Sequence, residues 1–219
     1  MLVSEITQSA IPALHYDDTI EEAIELLQQN NVQHLPVLHE EKYEGLLSLD
    51  ELITAENPDL ISSLKDKFIH VSVPANQHFL TALKIMATAD VSVLPVLSQN
   101  TEYVGTVSHQ DLLHTLYTYL SCDEPGGIFV VEMTKQKFSV GELCRLVETN
   151  DAFVTQLNTY SEHLSGLLIV TFKINKTEVS DVLATLQRYE YAVRYYFGEE
   201  YYENELKENF ENLMSYLNV

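Results

Sequence analysis

Residues 91–113 read VSVLPVLSQNTEYVGTVSHQDLL, and this stretch decides the fold. Two short apolar runs flank a polar turn around Gln99, which predicts two adjacent antiparallel strands. The second run ends at Ser108, and an apolar helical pattern begins at Leu112. Ser108 and Asp111 have the Ser-x-x-acid spacing of a helix N-cap. The stretch therefore predicts a strand, a turn, a second strand and a helix that starts with a hydroxyl and a carboxylate side by side.

The same pattern occurs once before in the chain. Residues 32–38 read VQHLPVL and residues 45–52 read GLLSLDEL, with a predicted loop over residues 39–44 between them. Pro36 and Pro95 are 59 positions apart. The helical pattern upstream repeats at the same offset, over residues 19–27 and 78–86. An internal repeat of this length makes the first half of the chain two copies of one unit.

The repeated unit has an extended segment, a helix with a Thr-Ile-x-x-Ala pattern, a Leu-Pro-Val strand and the motif Gly-apolar-apolar-Ser-x-x-acid-Leu. This unit resembles a CBS domain, and the two copies in tandem resemble a CBS pair, or Bateman module. The resemblance implies an α+β fold of two βαββα repeats, with CBS repeat 1 at residues 1–60 and CBS repeat 2 at residues 61–122. It also implies a homodimer, because CBS pairs commonly assemble two by two.

A second region follows the helix-breaking and strand-breaking stretch SCDEPGG at residues 121–127. The predicted element order over residues 126–198 is βαββαβ, which is the ferredoxin-like pattern. A unit of this kind directly after a CBS pair resembles an ACT domain, and the complete arrangement resembles bacterial acetoin-utilisation B-type proteins. ACT domains that bind amino acids usually have a glycine-bearing turn after the first strand, whereas residues 135–141 read KQKFSVG here. Amino-acid binding by this domain is therefore left open.

The last segment, residues 199–219, is predicted to be an amphipathic helix. Its apolar residues recur at helical spacing and form one stripe: Tyr202, Leu206, Phe210, Leu213, Met214 and Leu217. Such a stripe packs against its own domain, against a dimer mate or against another protein.

The chain is strongly acidic, with 12 Lys and Arg against 33 Asp and Glu and a net charge of −21. Before residue 121 the only Lys or Arg side chains are Lys42, Lys65, Lys67 and Lys84. Nucleic acids and anionic membrane surfaces are both recognised by clustered cations, so this composition argues against either partner. The N-terminus has no signal-peptide pattern, and no apolar run is long enough to span a membrane. We therefore expect a cytoplasmic protein.

The second copy carries the stronger candidate ligand site. The Asp111 carboxylate can accept hydrogen bonds from ribose hydroxyls, and Ser108 can donate to ribose or to a phosphate. His109 is the nearest candidate for a cationic contact. A flat base also needs an apolar slot, which three neighbouring residues offer: Val93, Leu94 and Pro95. The resemblance to CBS domains implies that an adenosine-type ligand binds at this place.

The first copy offers a matching site at the equivalent positions: His34, Leu35, Pro36, Ser48 and Glu51. Glu51 departs from the CBS pattern, in which an aspartate is usual, and its extra methylene moves the carboxylate. The chain has no arginine before Arg145, and arginine supplies the planar contacts that bind highly charged phosphates. AMP or adenosine is therefore expected in preference to ATP.

No catalytic site and no metal site are predicted. Ser108, His109 and Asp111 include the residue types of a nucleophilic triad, but neighbours at one helix start cannot reach its geometry. The histidines lack His-x-x-His and His-Glu-x-x-His spacing. We expect a non-enzymatic protein that requires no cofactor.

Two functional interpretations remain open at this point. In the first, the CBS pair senses an adenosine-type ligand and relays binding to the ACT-like domain or to a partner protein that the sequence does not identify. In the second, the protein is a ligand-free dimeric scaffold, and both Ser-x-x-acid steps serve only as helix caps.

Overall fold

The computed structural model describes residues 1–8, 11–55 and 60–198. The chain divides into two compact units, the first comprising Met1–Leu116 and the second beginning at Tyr117. The amphipathic helix predicted over residues 199–219 lies outside the described residues.

The first unit begins with one βαββα repeat preceded by a short helix. Its elements are α1 (Val3–Ile6), β1 (Leu14–His15), α2 (Ile20–Asn30), β2 (His34–His39), β3 (Lys42–Ser48) and α3 (Leu49–Ile53). Strand β1 pairs with β2 in parallel, and β2 pairs with β3 in antiparallel orientation. A loop was predicted over residues 39–44, but β2 continues to His39 and β3 begins at Lys42.

The second repeat has the same order after a 3₁₀ turn at Ile61–Lys67. Its elements are β4 (Val73–Pro74), α4 (Phe79–Ala89), β5 (Val93–Leu97), β6 (Tyr103–Ser108) and α5 (His109–Tyr119). The sheet order is β4-β5-β6, with the same parallel and antiparallel pairings as in the first repeat. The predicted α+β class and the two βαββα repeats are thereby confirmed.

Local sequence sets the ends of the long helices. At the start of α2 the Thr19 hydroxyl accepts the Glu22 N–H at 3.2 Å, and the Glu22 carboxylate accepts the Thr19 N–H at 2.9 Å. This reciprocal capping box satisfies backbone donors that have no partner inside the helix. At the C-terminal end of α2, Asn31 adopts a left-handed conformation with a φ of 52°, and Asp90 does the same after α4.

The two repeats exchange their first extended segments. Gln8 pairs with Thr106 of β6 through two backbone hydrogen bonds of 2.9 and 3.0 Å. Ile69 pairs with Leu46 of β3 in the same way, at 2.8 and 2.9 Å. We call residues 6–8 and 67–69 the crossing segments, because each extends the sheet of the other repeat. A single core therefore joins the two repeats, with Leu14, Leu27, Leu35, Leu46, Phe79, Met86 and Leu94 among its buried side chains.

The second unit has the predicted βαββαβ order. Its elements are β7 (Ile128–Met133), α6 (Val140–Glu148), β8 (Val154–Ser161), β9 (Leu168–Ile174), α7 (Ser180–Arg188) and β10 (Ala192–Phe197). All neighbouring strands are antiparallel in the sheet order β10-β7-β9-β8. The Phe129 and Phe172 rings stack with centroids 5.2 Å apart in the core of this unit.

The SCDEPGG stretch is fixed to the second unit by a buried lysine. Lys173 on β9 is only 8% exposed, and its Nζ donates to the backbone oxygens of Ser121 at 2.6 Å and Glu124 at 2.5 Å. The Gly127 N–H donates to the Lys176 oxygen at 2.6 Å. This stretch breaks regular structure as predicted, and it is also tied to the sheet at several points.

An ion-pair cluster connects distant parts of the same sheet. The Arg194 guanidinium on β10 makes two hydrogen bonds to the Glu162 carboxylate, at 2.8 and 2.9 Å, and its Nε donates to Glu132 on β7. These contacts lower the pKa of Glu162 to about 2, mainly through the hydrogen bonds from Arg194.

Candidate functional site

Strand β6 and helix α5 bring together the two polar residues of the second site. The Asp111 carboxylate accepts the Ser108 N–H at 2.7 Å and the Ser108 hydroxyl at 2.6 Å. The Ser108 hydroxyl in turn accepts the Asp111 N–H at 3.1 Å. The structure therefore places a hydroxyl and a carboxylate side by side at the start of α5, as the spacing predicts. His109, the first residue of α5, is exposed.

The first site is built differently although the sequence pattern is nearly the same. The Ser48 hydroxyl accepts the Glu51 N–H at 3.2 Å, which caps α3. The Glu51 carboxylate forms an ion pair with Lys67, whose Nζ lies 3.4 Å away. Lys67 belongs to the crossing segment of the second repeat. The charge environment of the first site therefore includes a cation contributed by the other repeat.

No pattern in the sequence assigns Lys67 to the first site. It lies 16 positions after Glu51 and outside the Ser-x-x-acid motif, so local spacing gives no reason to connect the two. The available signal was its rarity, because it is one of only four lysines in the two repeats.

The two sites are connected through the junction between the repeats. The Gln33 oxygen accepts the N–H of Leu49, the first residue of α3, at 2.9 Å. The Ser92 oxygen accepts the His109 N–H at 3.2 Å in the equivalent way. The Gln33 N–H donates to the Ser92 hydroxyl at 2.9 Å. A chain of hydrogen bonds thus leads from the start of one helix to the start of the other.

His34 is part of this junction, because its imidazole ring contacts Ser92. Its Nδ1 accepts the Ser92 N–H at 3.2 Å and lies 3.2 Å from the Ser92 hydroxyl. This geometry assigns the proton of the neutral ring to Nε2. Burial lowers the pKa of His34 below its ordinary value of 6.5, although the charges of Asp90 and Asp50 oppose the shift. No local sequence pattern indicates a role for Ser92, because its contact with His34 joins residues 58 positions apart.

The apolar residues predicted to line the ligand slots are buried. Leu35, Val93 and Leu94 are 0% exposed, and all three belong to the core that joins the repeats. Pro36 and Pro95 are buried on the same strands, β2 and β5. Their roles as ligand contacts stay a prediction, as do those of His34, Ser48, Glu51, Ser108, His109 and Asp111.

A buried hydroxyl distinguishes the second site from the first. Thr106 is 0% exposed and pairs in register with Pro95, and within the described residues its Oγ1 has no hydrogen-bond partner. Leu46 occupies the equivalent position of the first repeat, where it is fully buried. The Thr106 hydroxyl therefore has unused hydrogen-bonding capacity two positions before Ser108 on β6. An unpaired buried hydroxyl costs about 1–3 kcal/mol.

The second unit contains a cavity of about 660 Å³ that sequence analysis did not predict. Its lining comes from the end of β7, the following loop, the start of α6, the residue before β9 and the connection from α7 to β10: Glu132, Met133, Thr134, Gln136, Lys137, Ser139, Glu142, Leu167, Tyr189, Glu190, Tyr191 and Ala192. Gly141, the glycine of the KQKFSVG stretch, is the second residue of α6 and lies outside the preceding turn.

The described parts of the chain were also compared with the requirements of a metal site and of a membrane-spanning helix. No three His, Cys, Asp or Glu side chains there converge on a point where they could hold a metal ion. Every described helix is too short or too polar to traverse a lipid bilayer.

The fold and the paired Ser-x-x-acid sites define a duplicated α+β module with two equivalent helix starts at one junction. Residues 3–57 and 65–118 match the CBS domain family. These two segments are therefore CBS domains, and the first unit is a tandem CBS pair.

Three known proteins illustrate the similarity. Inosine-5'-monophosphate dehydrogenase from Korarchaeum cryptofilum is 28% identical over 117 residues, which are 52% of this chain and 24% of that enzyme. A CBS domain pair/ACT domain protein from Thermotoga maritima is 23% identical, with a TM-score of 0.49, over 55% of this chain and 99% of that one. CBSX2 in complex with AMP is 14% identical, with a TM-score of 0.47, over 54% of this chain and 98% of that one.

These similarities have a limited extent. The match to the dehydrogenase covers only the CBS region, and the chain spans about a quarter of the length of that relative.

Proposed function

We propose that this protein is a non-enzymatic regulatory protein whose CBS pair senses an adenosine-type ligand. AMP and adenosine are favoured over ATP, because the repeats contain no arginine, the residue that supplies planar bidentate contacts to highly charged phosphates. The second unit, which we propose to be ACT-like, or a partner protein receives the signal. We further propose that the protein is a cytoplasmic homodimer of the acetoin-utilisation B type.

The hydrogen-bonded junction between the two sites is the observation that carries this proposal. Gln33 and Ser92 each hold the first residue of a helix that begins with a Ser-x-x-acid step, and they bond to each other. A ligand that binds one helix start would therefore favour one arrangement of the junction over another. Differential affinity for the two arrangements is the physical requirement for a ligand to shift a conformational equilibrium.

The competing function is a ligand-free scaffold, and one observation favours it. The Ser108 hydroxyl and the Asp111 carboxylate already satisfy each other in a reciprocal N-cap. Caps of this kind stabilise a helix by about 1 kcal/mol without any ligand. An adenosine-type ligand has to compete with these internal hydrogen bonds.

Titration calorimetry of the full chain with adenosine, AMP, ADP, ATP and S-adenosylmethionine separates the two functions. We expect adenosine or AMP to bind, and we expect Asp111→Ala to weaken binding by at least tenfold. If none of the five compounds gives binding heat, the ligand-free scaffold is favoured and the sensor proposal is contradicted.

A matched control separates lost ligand contact from lost capping. Ser139 caps α6 in the second unit by accepting the Glu142 N–H at 3.3 Å. Ser139→Ala should lower the stability of the chain by about 1 kcal/mol, as loss of a cap does, and leave ligand affinity unchanged. Equal effects of Asp111→Ala and Ser139→Ala on affinity would show that Asp111 does not contact the ligand.

A further inference from the structure

The two CBS sites differ in charge although their sequence motifs match. Ile69 and Gln8 occupy equivalent bridges to β3 and β6, so Lys67 and Ile6, each two positions earlier, are equivalent. Lys67 pairs with the Glu51 carboxylate of the first site, whereas Ile6 is a buried apolar residue. The first site therefore has one cation for its carboxylate, and the second site has an aspartate without a lysine at the matching place.

We infer that Lys67 makes the first site selective for a ligand that carries a phosphate group, whereas the second site takes an uncharged adenosine-type ligand. This inference rests on the proposed function and names the ligand class of each site. It assigns AMP to the site of Ser48, Glu51 and Lys67, and adenosine to the site of Ser108 and Asp111.

The charges around each carboxylate decide whether a phosphate group can bind there. A phosphate ester carries close to two negative charges at neutral pH, so it is repelled by a nearby carboxylate. At the first site the ammonium group 3.4 Å from Glu51 offsets that repulsion and offers hydrogen-bond donors to the phosphate oxygens. The Lys67 side chain is 58% exposed and can reorient towards a ligand without leaving the site.

Beside the Asp111 carboxylate, the second site has uncharged hydrogen-bonding groups and no lysine at the place of Lys67. Ser108 contributes a hydroxyl, and Thr106 adds a buried hydroxyl for which the described residues provide no partner. The side chain of Leu46, at the equivalent position of the first site, has no hydrogen-bonding group. A ribose with a neutral 5′ substituent suits this group of residues better than a phosphate does.

Calorimetric titration of the full chain with AMP and with adenosine tests the inference through charge substitutions at Lys67. We expect Lys67→Met to weaken AMP binding by roughly five- to tenfold and to leave adenosine binding unchanged, because only AMP carries the phosphate. Lys67→Arg retains the charge and should retain AMP binding within about twofold. Lys84→Met removes an exposed lysine from α4 and serves as the matched control, with no expected effect on either ligand.

Each result has a defined meaning. Unchanged AMP binding in Lys67→Met, or an equal loss of AMP and adenosine binding, would overturn the assignment of Lys67 while leaving the sensor function intact. Loss of AMP binding in Lys84→Met as well would indicate a general charge effect and would also overturn it. If wild-type protein binds neither compound, the proposed function itself fails, and the inference fails with it.

Discussion

The side chain of Glu51 is one methylene longer than that of Asp111, and the two carboxylates have different partners. The shorter Asp111 side chain folds back onto Ser108, where it accepts two hydrogen bonds. The longer Glu51 side chain pairs with Lys67. The sequence predicted that the extra methylene would displace the carboxylate, but it did not predict the new partner. Residues at equivalent repeat positions therefore need not have equivalent chemistry.

His34, a single residue of the first site, makes a pH-dependent contribution to the stability of the folded chain. Its lowered pKa means that the folded chain binds the imidazole proton less readily than the unfolded chain does. Stability from this group is therefore complete above the unfolded pKa of about 6.5 and falls as the pH drops below it. We expect wild-type protein to lose more stability between pH 7 and pH 5 than His34→Asn, as measured by urea unfolding. His70→Asn, at an exposed position, should keep the wild-type slope; a wild-type slope in His34→Asn would contradict the prediction.

Glu162 gives a separate prediction at acid pH. The hydrogen bonds from Arg194 hold its pKa at about 2, against an ordinary value of 4.5. The folded carboxylate resists protonation, so its stabilising effect is present above pH 4.5 and is lost as the pH falls towards about 2. We expect Glu162→Gln to lower stability at pH 7 and to flatten this acid dependence in thermal unfolding. Glu148→Gln, an exposed position on α6, is the control; identical acid profiles for all three proteins would refute the role of the ion pair.

At the scale of elements, the exchange of crossing segments explains the glycines of the repeated motif. A Cβ at Gly105 would lie 2.8 Å from the Gln8 oxygen, and a Cβ at Gly45 would lie 2.7 Å from the Phe68 Cβ. Gly105 also has a φ of +153°, which residues with side chains rarely adopt. The motif contains glycine because the segment of the other repeat lies directly against it.

Gly105→Ala should therefore destabilise the first unit by about 1–3 kcal/mol, because backbone cannot move aside as a side-chain tip can. Urea unfolding measures this loss. Gly141→Ala is the matched control, since a Cβ on Gly141 would meet nothing within 4 Å. In the helix α6 that substitution should stabilise the chain by roughly 0.5–1 kcal/mol. Wild-type stability in Gly105→Ala would show that the crossing segment does not constrain β6.

The boundaries of the hairpin between β2 and β3 were predicted incorrectly. A loop over residues 39–44 was expected, but β3 begins at Lys42 and the turn is shorter. Glu40 and Glu41 form the turn with positive φ values of 47° and 65°. Tight hairpin turns of this kind usually contain asparagine or glycine, so two glutamates give no sequence signal for them.

At the scale of the whole molecule, two exposed apolar residues support the homodimer proposal. Ile53 on α3 is 65% exposed and Leu113 on α5 is 69% exposed. They are 60 positions apart and therefore equivalent in the two repeats. Large apolar side chains at repeated exposed positions are typical of a surface that a partner covers.

We expect wild-type protein to sediment as a dimer and the double variant Ile53→Glu with Leu113→Glu to sediment as a monomer, because buried carboxylates in the interface are unfavourable. Val104→Glu changes an exposed apolar residue on β6 and should leave the dimer intact. A monomeric wild-type protein in sedimentation velocity would contradict the homodimer, and a dimeric double variant would exclude this surface as the interface.

The sequence by itself determined the repeat, the order of strands and helices in both units, and the hydroxyl and carboxylate at each helix start. These features depend on periodicity and on capping contacts between residues about three positions apart, so they can be read locally. Only the tertiary structure decided that Lys67 joins the first site, that His34 meets Ser92 and that the crossing segments exchange. These contacts link residues that are far apart in the chain and that come together only when the two repeats pair. A pattern of neighbouring residues cannot predict such contacts.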